Sequence, residues 1–285
     1  MPSTSLPTPP RLVRARELKA LGWTDRRIRA AVAQGRLVRL REGAYCDPTA
    51  DPEVRMSGSV GGRLACVSEL RRLGVFVVQH DQLHVHVVRT AARVRAPKGP
   101  HRMHRRALLR VPHPDALSVE PLDAVFDGVL CQAPRAAIAT IDSALHLGVL
   151  HPDDLEELFA ALPRRFRRLR RLIDGRAESG PETLLRLILR SLGCMFEVQV
   201  LIRGVGRVDF LVDGWLIVEC DSEQFHAGWD AQKADRRRDQ AAAAQGFATY
   251  RPIAEDIMWH PEAVRAALVG LLALRPQARR VADAG

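Results

Sequence analysis

The chain has 285 residues, 47% of them hydrophobic, with 43 Lys/Arg against 33 Asp/Glu and a formal charge of +10. This composition excludes an intrinsically disordered chain, and no apolar run approaches the ~20 residues of a membrane-spanning helix. The basic balance favours a polyanionic partner, and the length allows two or three domains with cores of their own.

The charge is uneven. Residues 1–50 hold ten Lys/Arg against four Asp/Glu, a net of +6, whereas residues 181–285 hold 13 against 14, a net of −1. The five cysteines (46, 66, 131, 194, 220) form no C-x-x-C pair and are odd in number. Neither a zinc site nor a disulfide framework is expected from that spacing, and a reducing cytoplasm is the natural compartment. The start of the chain has no apolar h-region, so no secretory signal is expected.

Residues 1–10 form a Pro-rich tail. Residues 11–48 are predicted to be a winged helix-turn-helix. Arg14 to Leu21 reads as a short helix closed by Gly22. Thr24 is an N-cap candidate for a second helix, Asp25 to Gln34, with Gly35 as its stop. Leu37 to Arg41 then alternates, and Glu42-Gly43-Ala44-Tyr45 closes a hairpin. Arg26, Arg27 and Arg29 on the second helix suit a major groove, and Arg39 and Arg41 on the wing suit phosphate or a minor groove. A small helical cap with a solvated basic face fits the same pattern. From Leu21-Gly22 through Gly35-Arg36-Leu37 to Gly43-Ala44-Tyr45, the segment resembles the N-terminal domain of AbiEi-type antitoxins over some 40 residues.

Residues 50–175 read as an α+β, then helical, middle domain. Leu64 to Leu73 is predicted to be a helix ending at Gly74. Leu83 to Val88 alternates like a half-exposed strand. His84 and His86 share a face of that strand, which permits metal binding only with a third ligand, and none is evident nearby. Arg102 to Arg110 is a basic, strand-like stretch. This region also resembles the middle domain of the antitoxin-like family. Pro134 to Leu147, Asp153 to Leu162 and Pro163 to Leu172 are predicted helices. The last carries six arginines, among them Arg167, Arg170 and Arg171, around an apolar stripe of Phe166, Leu169 and Leu172. That helix either contacts phosphate or presents a solvated face. Gly175 to Gly180 is the expected linker.

Residues 178–275 are predicted to form an αβββαβα domain, followed by a tail at 276–285. A helix runs from Pro181 to Leu192 and carries Glu182. Strands follow at about 196–202, 206–212 and 215–221, then a helix at 228–245, a strand at 247–252 and a helix at 261–274. Asp213-Gly214 is a hairpin signal between two apolar runs that end in acids. Side chains alternate with period two, so Glu219 and Asp221 share a face and Asp209 can lie opposite them. Such carboxylates repel unless a hard divalent cation lies between them. His226 and the basic helix of Lys233, Asp235, Arg236 and Arg237 complete the equipment of phosphodiester hydrolysis.

The matching pieces are Pro181-Glu182, Gly206-Arg207-Val208-Asp209-Phe210, Glu219-Cys220-Asp221, His226, Asp235-Arg236-Arg237-Arg238-Asp239 and Gly246-Phe247-Ala248-Thr249-Tyr250-Arg251. By their order and spacing, residues from about 178 to 270 resemble the Vsr-like branch of the PD-(D/E)XK nuclease superfamily. The resemblance implies a restriction-endonuclease-like αβββαβ core and a Mg²⁺- or Mn²⁺-dependent endonuclease acting on DNA. It makes Glu182 the helix acid, Asp209 the central metal ligand and Glu219 the second strand acid, with Asp221 and His226 flanking the scissile phosphate. Asp221 stands where the superfamily has its E-x-K lysine, and Lys233 is a candidate substitute. The glycine usual after that motif is Ser222. His226 also reads as a packing residue between Phe225 and Trp229. The expected whole is a cytoplasmic α/β multi-domain DNA-binding protein, without a membrane. The alternative is a non-catalytic AbiEi-like antitoxin and transcriptional repressor with a cognate toxin as partner.

Overall fold

The computed structural model describes residues 9–91, 94–221 and 229–274. The chain is mixed α/β, with twelve helices and three small sheets among these residues. It divides into two compact units, residues 1–175 and 176–285. No helix among the described residues is long and apolar enough to cross a membrane.

Unit 1 opens with β1 (Val13–Arg14), α1 (Ala15–Ala20), α2 (Asp25–Ala33), β2 (Val38–Arg41) and β3 (Ala44–Cys46). Thr24 caps α2 by accepting from Arg27 N at 3.2 Å, a contact worth about 1 kcal/mol. Ile28 and Ala31 are buried on one side of α2, while Arg26, Arg27 and Arg29 are exposed on the other. The three strands form an antiparallel sheet in the order β1-β3-β2. Its register shifts between Arg39 and Arg41, both of which are exposed.

The chain continues through α3 (Pro52–Ser59), β4 (Arg63–Leu64), α4 (Cys66–Arg72), β5 (Leu83–His86) and β6 (His101–His104). The expected helix from Leu64 thus begins later, because Arg63 and Leu64 pair antiparallel with His86 and Val85. Gly62 lies just ahead of this pairing. A Cβ there would meet Val85 Cγ1 at 2.3 Å and the His86 carbonyl at 2.9 Å, so the close approach needs glycine. β5 also pairs in parallel with β6, placing His84 opposite Arg102 and His86 opposite His104. Every residue of β5 is buried, so the half-exposed strand expected here is corrected. Alternation misled because β5 is the central strand of its sheet and is covered on both faces. Leu12, Leu40 and Ala44 of the first segment share one core cluster with Val54, Leu64, Val85 and Leu117.

The remainder of unit 1 is α5 (Pro121–Cys131), α6 (Pro134–His146), α7 (Asp154–Ala161) and a 3-10 helix, Arg164–Leu172. Helix α5 is buried over most of its length and carries two acids inside, Asp123 and Asp127. Arg106 neutralises both at 2.7 Å. The α-helix expected at 163–172 is instead 3-10. Phe166 and Leu169 are buried, and spacing by three matches a helix of three residues per turn. All six of its arginines are exposed.

Unit 2 runs α8 (Gly180–Leu192), β7 (Phe196–Ile202), β8 (Gly206–Val212), β9 (Leu216–Val218), α9 (Trp229–Ala244), β10 (Ala248–Tyr250), α10 (Ala254–Trp259) and α11 (Pro261–Ala273). The sheet order is β10-β9-β8-β7, antiparallel across β7, β8 and β9 and parallel between β9 and β10. Asp213 and Gly214 both have positive φ, +49° and +76°, in a turn closed by Trp215 N donating to Val212 O at 3.1 Å, and the register pairs Val212 with Leu216 across it. Ile202, Val205, Val208, Ile217 and Ala242 form one core cluster. Helix α10 was not anticipated, and β9 ends at Val218 rather than 221. Beyond Val218 the backbone follows the β10 side instead: Glu219 N donates to Tyr250 O and Asp221 N to Pro252 O, both at 3.1 Å.

Candidate functional site

The first site lies in unit 2, where α8, β7, β8 and the end of β9 bring their acids together. Ser179 caps α8 by accepting from Glu182 N at 3.3 Å. Glu182 occupies the third helical position and reaches back past the N-cap to accept from Glu178 N at 3.0 Å. This local role accounts for part of Glu182. It does not account for the 3.1 Å hydrogen bond from Gln199 Nε2 to Glu182 Oε2, which crosses from β7 to the helix.

Gln199 also reaches Asp209 Oδ1 at 3.5 Å. The β7–β8 ladder registers Val198 with Phe210 and Val200 with Val208 but skips the pair between them, Gln199 and Asp209. There Gln199 adopts a φ of +53°, a left-handed conformation that a side chain makes unfavourable. Its Oε1 is buried with no hydrogen-bond partner among the described residues. Asp209 Oδ2 accepts from Cys220 N at 2.9 Å.

The electrostatics follow from this crowding. Burial, with the Asp209 charge beside it, pushes Glu182 up to about 7. Burial also raises Asp209; the Cys220 N–H opposes that rise, while Glu219 and Glu178 add to it. The Cys220 thiol, buried near Asp209, Glu182 and Asp221, is pushed up to about 12. Two adjacent acids that resist ionisation in a partly dry site form an arrangement found preferentially at functional sites.

Glu219 lies next to this pair but is committed elsewhere. Its Oε1 accepts from Arg238 Nη2 at 2.5 Å and its Oε2 from Arg251 Nε at 2.9 Å. Arg251 also binds Asp239 at 2.9 Å, and Arg238 donates to the Arg207 carbonyl. Among the described residues, the carboxylates of Glu182, Asp209 and Glu219 do not come within 4.8 Å of one another as a set.

Other expected site residues are dispersed. Asp221 is exposed, and its backbone forms a bridge with Ile253. Lys233 is half-buried on α9, where Asp235, Arg236 and Arg237 are exposed. His226 lies outside the described residues. In unit 1, Arg27 stacks over the Trp23 ring at 4.2 Å, and Arg41 Nη1 donates to Gly58 O at 2.6 Å. Arg39, Arg167, Arg170 and Arg171 are exposed. Sequence reasoning missed Gln199, and it met Arg238 only within the Asp235–Asp239 stretch, not as a partner of Glu219. Each acts through a contact made only when separate elements pack.

A second cluster lies within unit 1. The ligand atoms of Cys66, His84, His104 and Cys131 all lie within 4.8 Å of one another and could hold a metal ion. His84 thus finds the further ligands that the sequence did not reveal: Cys66 opens α4, His104 ends β6 and Cys131 ends α5. His86 is not among them; its Nε2 bonds the Arg106 carbonyl at 3.0 Å. His84 Nδ1 and His104 Nε2 are 3.1 Å apart. Burial lowers His104 to about 4. The Cys66 thiol donates to Cys131 and lowers it below the ordinary thiol range, while burial raises Cys66. All five cysteines are free.

No family of known proteins and no curated protein matches the chain.

Proposed function

We propose that unit 2 is a magnesium-dependent DNA endonuclease of the Vsr-like PD-(D/E)XK kind, and that unit 1 delivers it to DNA through a winged helix-turn-helix within residues 11–48. The observation that carries this reading is the Glu182–Gln199–Asp209 group. Two desolvated carboxylates brought together by one amide make a pair of oxygen donors, the kind that suits a small hard cation. Glu182 and Asp209 would hold Mg²⁺ or Mn²⁺. The ion, when bound, supplies Lewis-acid activation of water and charge stabilisation at the phosphate. Asp209 is oriented for this by the Cys220 N–H, and Gln199 fixes the spacing of the two acids. In the reaction, water adds to phosphorus, one phosphorus–oxygen bond breaks and the leaving sugar oxygen gains a proton.

A specific observation favours the rival, a DNA-binding antitoxin-like repressor with a silent nuclease fold. Glu219 is clamped between Arg238 and Arg251, and the position of the family's lysine is an exposed aspartate, Asp221. Nicking of supercoiled plasmid by purified protein separates the two readings. Mg²⁺-dependent nicking that Asp209→Asn abolishes supports the endonuclease. Tight DNA binding without nicking in Mg²⁺ or Mn²⁺ supports the repressor.

A further inference from the structure

We propose that Cys66, His84, His104 and Cys131 bind one zinc ion, a structural centre that locks α4 and α5 of unit 1 to the β5–β6 strand pair. Four ligands from four separate elements have converged with all donor atoms within 4.8 Å. Tetrahedral zinc, with bonds of about 2.3 Å to sulfur and about 2.0 Å to nitrogen, needs ligand separations of about 3.3–3.8 Å. The 3.1 Å between His84 Nδ1 and His104 Nε2 is already close to that value. Two thiolates and two imidazoles form a soft, closed, four-coordinate set that selects zinc over magnesium or calcium. Two thiolate charges balance the ion's own.

Independent features support the assignment. His104 turns its other nitrogen, Nδ1, towards Asp127 Oδ1 at 3.7 Å. A carboxylate behind a ligating imidazole is a common companion of zinc sites, where a small closure would bring it into hydrogen-bond range. Asp127 Oδ2 is buried and has no hydrogen-bond partner among the described residues. Cys66 itself has a φ of +53°, a left-handed conformation unfavourable for a side chain, at the first residue of a helix. Backbone strain of this kind persists where a surrounding site holds it. Cys66 is fully buried and His84 nearly so, whereas His104 and Cys131 lie at the partly open edge, so an ion has a way in.

Elemental analysis of the full-length chain purified under reducing conditions should find about one zinc per chain. Cobalt added to the metal-free chain should give the intense visible bands of tetrahedral cobalt and a sulfur-to-cobalt charge-transfer band. This second measurement needs no variant, so it stands even where a ligand substitution prevents folding. Cys131→Ser should abolish the charge-balanced site and lose the ion. Asp127→Asn should weaken zinc about 10–100-fold while all four ligands remain. The proposal is overturned if the native chain takes up neither ion, if cobalt gives an octahedral spectrum, or if a Cys66–Cys131 disulfide is recovered from the reduced preparation. Zinc content unchanged in Cys131→Ser would overturn it as well.

Discussion

Gln199 donates to Glu182 across the gap between strand β7 and helix α8, and it does so from a left-handed backbone. The two features can be separated by substitution. Gln199→Ala loses the amide and keeps the unfavourable φ, whereas Gln199→Gly loses the amide and relieves the backbone. Gln199→Gly should therefore be the more stable variant by roughly 1 kcal/mol, a few degrees in Tm. If unit 2 is the proposed endonuclease, both should lose nicking activity to a similar degree. Thermal melts that rank alanine above glycine would show that the φ at this position costs nothing.

The raised Glu182 gives unit 2 a pH-dependent stability in magnesium-free buffer. A carboxyl whose folded-state pKa lies above its unfolded value binds its proton more tightly when folded. Its stabilising contribution is complete below about 4.5 and is lost as pH rises to about 7. The loss is on the order of 3 kcal/mol. Glu182→Gln should remove this slope, leaving the variant more stable than the native chain at pH 8. Denaturant titrations at pH 5 and pH 8 check it, and parallel slopes for the two proteins would refute the assignment. Added Mg²⁺ should narrow the gap by stabilising the native chain.

Arg251 joins two carboxylates, Glu219 and Asp239, with one planar guanidinium. Lysine has a single ammonium and cannot reproduce that fork. Arg251→Ala leaves Glu219, whose side chain is 11% exposed, with one of its two arginines. The cost should be about 3 kcal/mol, and Arg251→Lys should recover less than half of it. Full recovery by lysine, measured by chemical denaturation, would mean that charge alone matters here.

Arg26, Arg27 and Arg29 are exposed together on α2. Replacing all three with alanine should weaken DNA binding and flatten the plot of log K against log salt by up to about 3, because fewer counterions are released. Fluorescence anisotropy across a salt series measures both. An unchanged slope would place the phosphate contacts elsewhere, with the exposed arginines of the 3-10 helix the next to test.

The sequence by itself determined most of the elements and their order. Thr24 and Pro181 marked helix starts, Asp213-Gly214 marked a hairpin, and the 178–275 pattern was legible because caps, turns and period-two alternation are local signals. The acids Glu182, Asp209 and Glu219 were legible as residues. Which of them stand together was decided by tertiary structure: Gln199 couples the first two, while Arg238 and Arg251 draw Glu219 away. The same holds more strongly for the Cys/His cluster. Cys66, His84, His104 and Cys131 lie in four elements separated by long stretches of chain, so no spacing rule announces them. Their meeting is produced by the packing of α4 on α5 and by the parallel pairing of β5 with β6, which are non-local contacts that sequence periodicity does not encode.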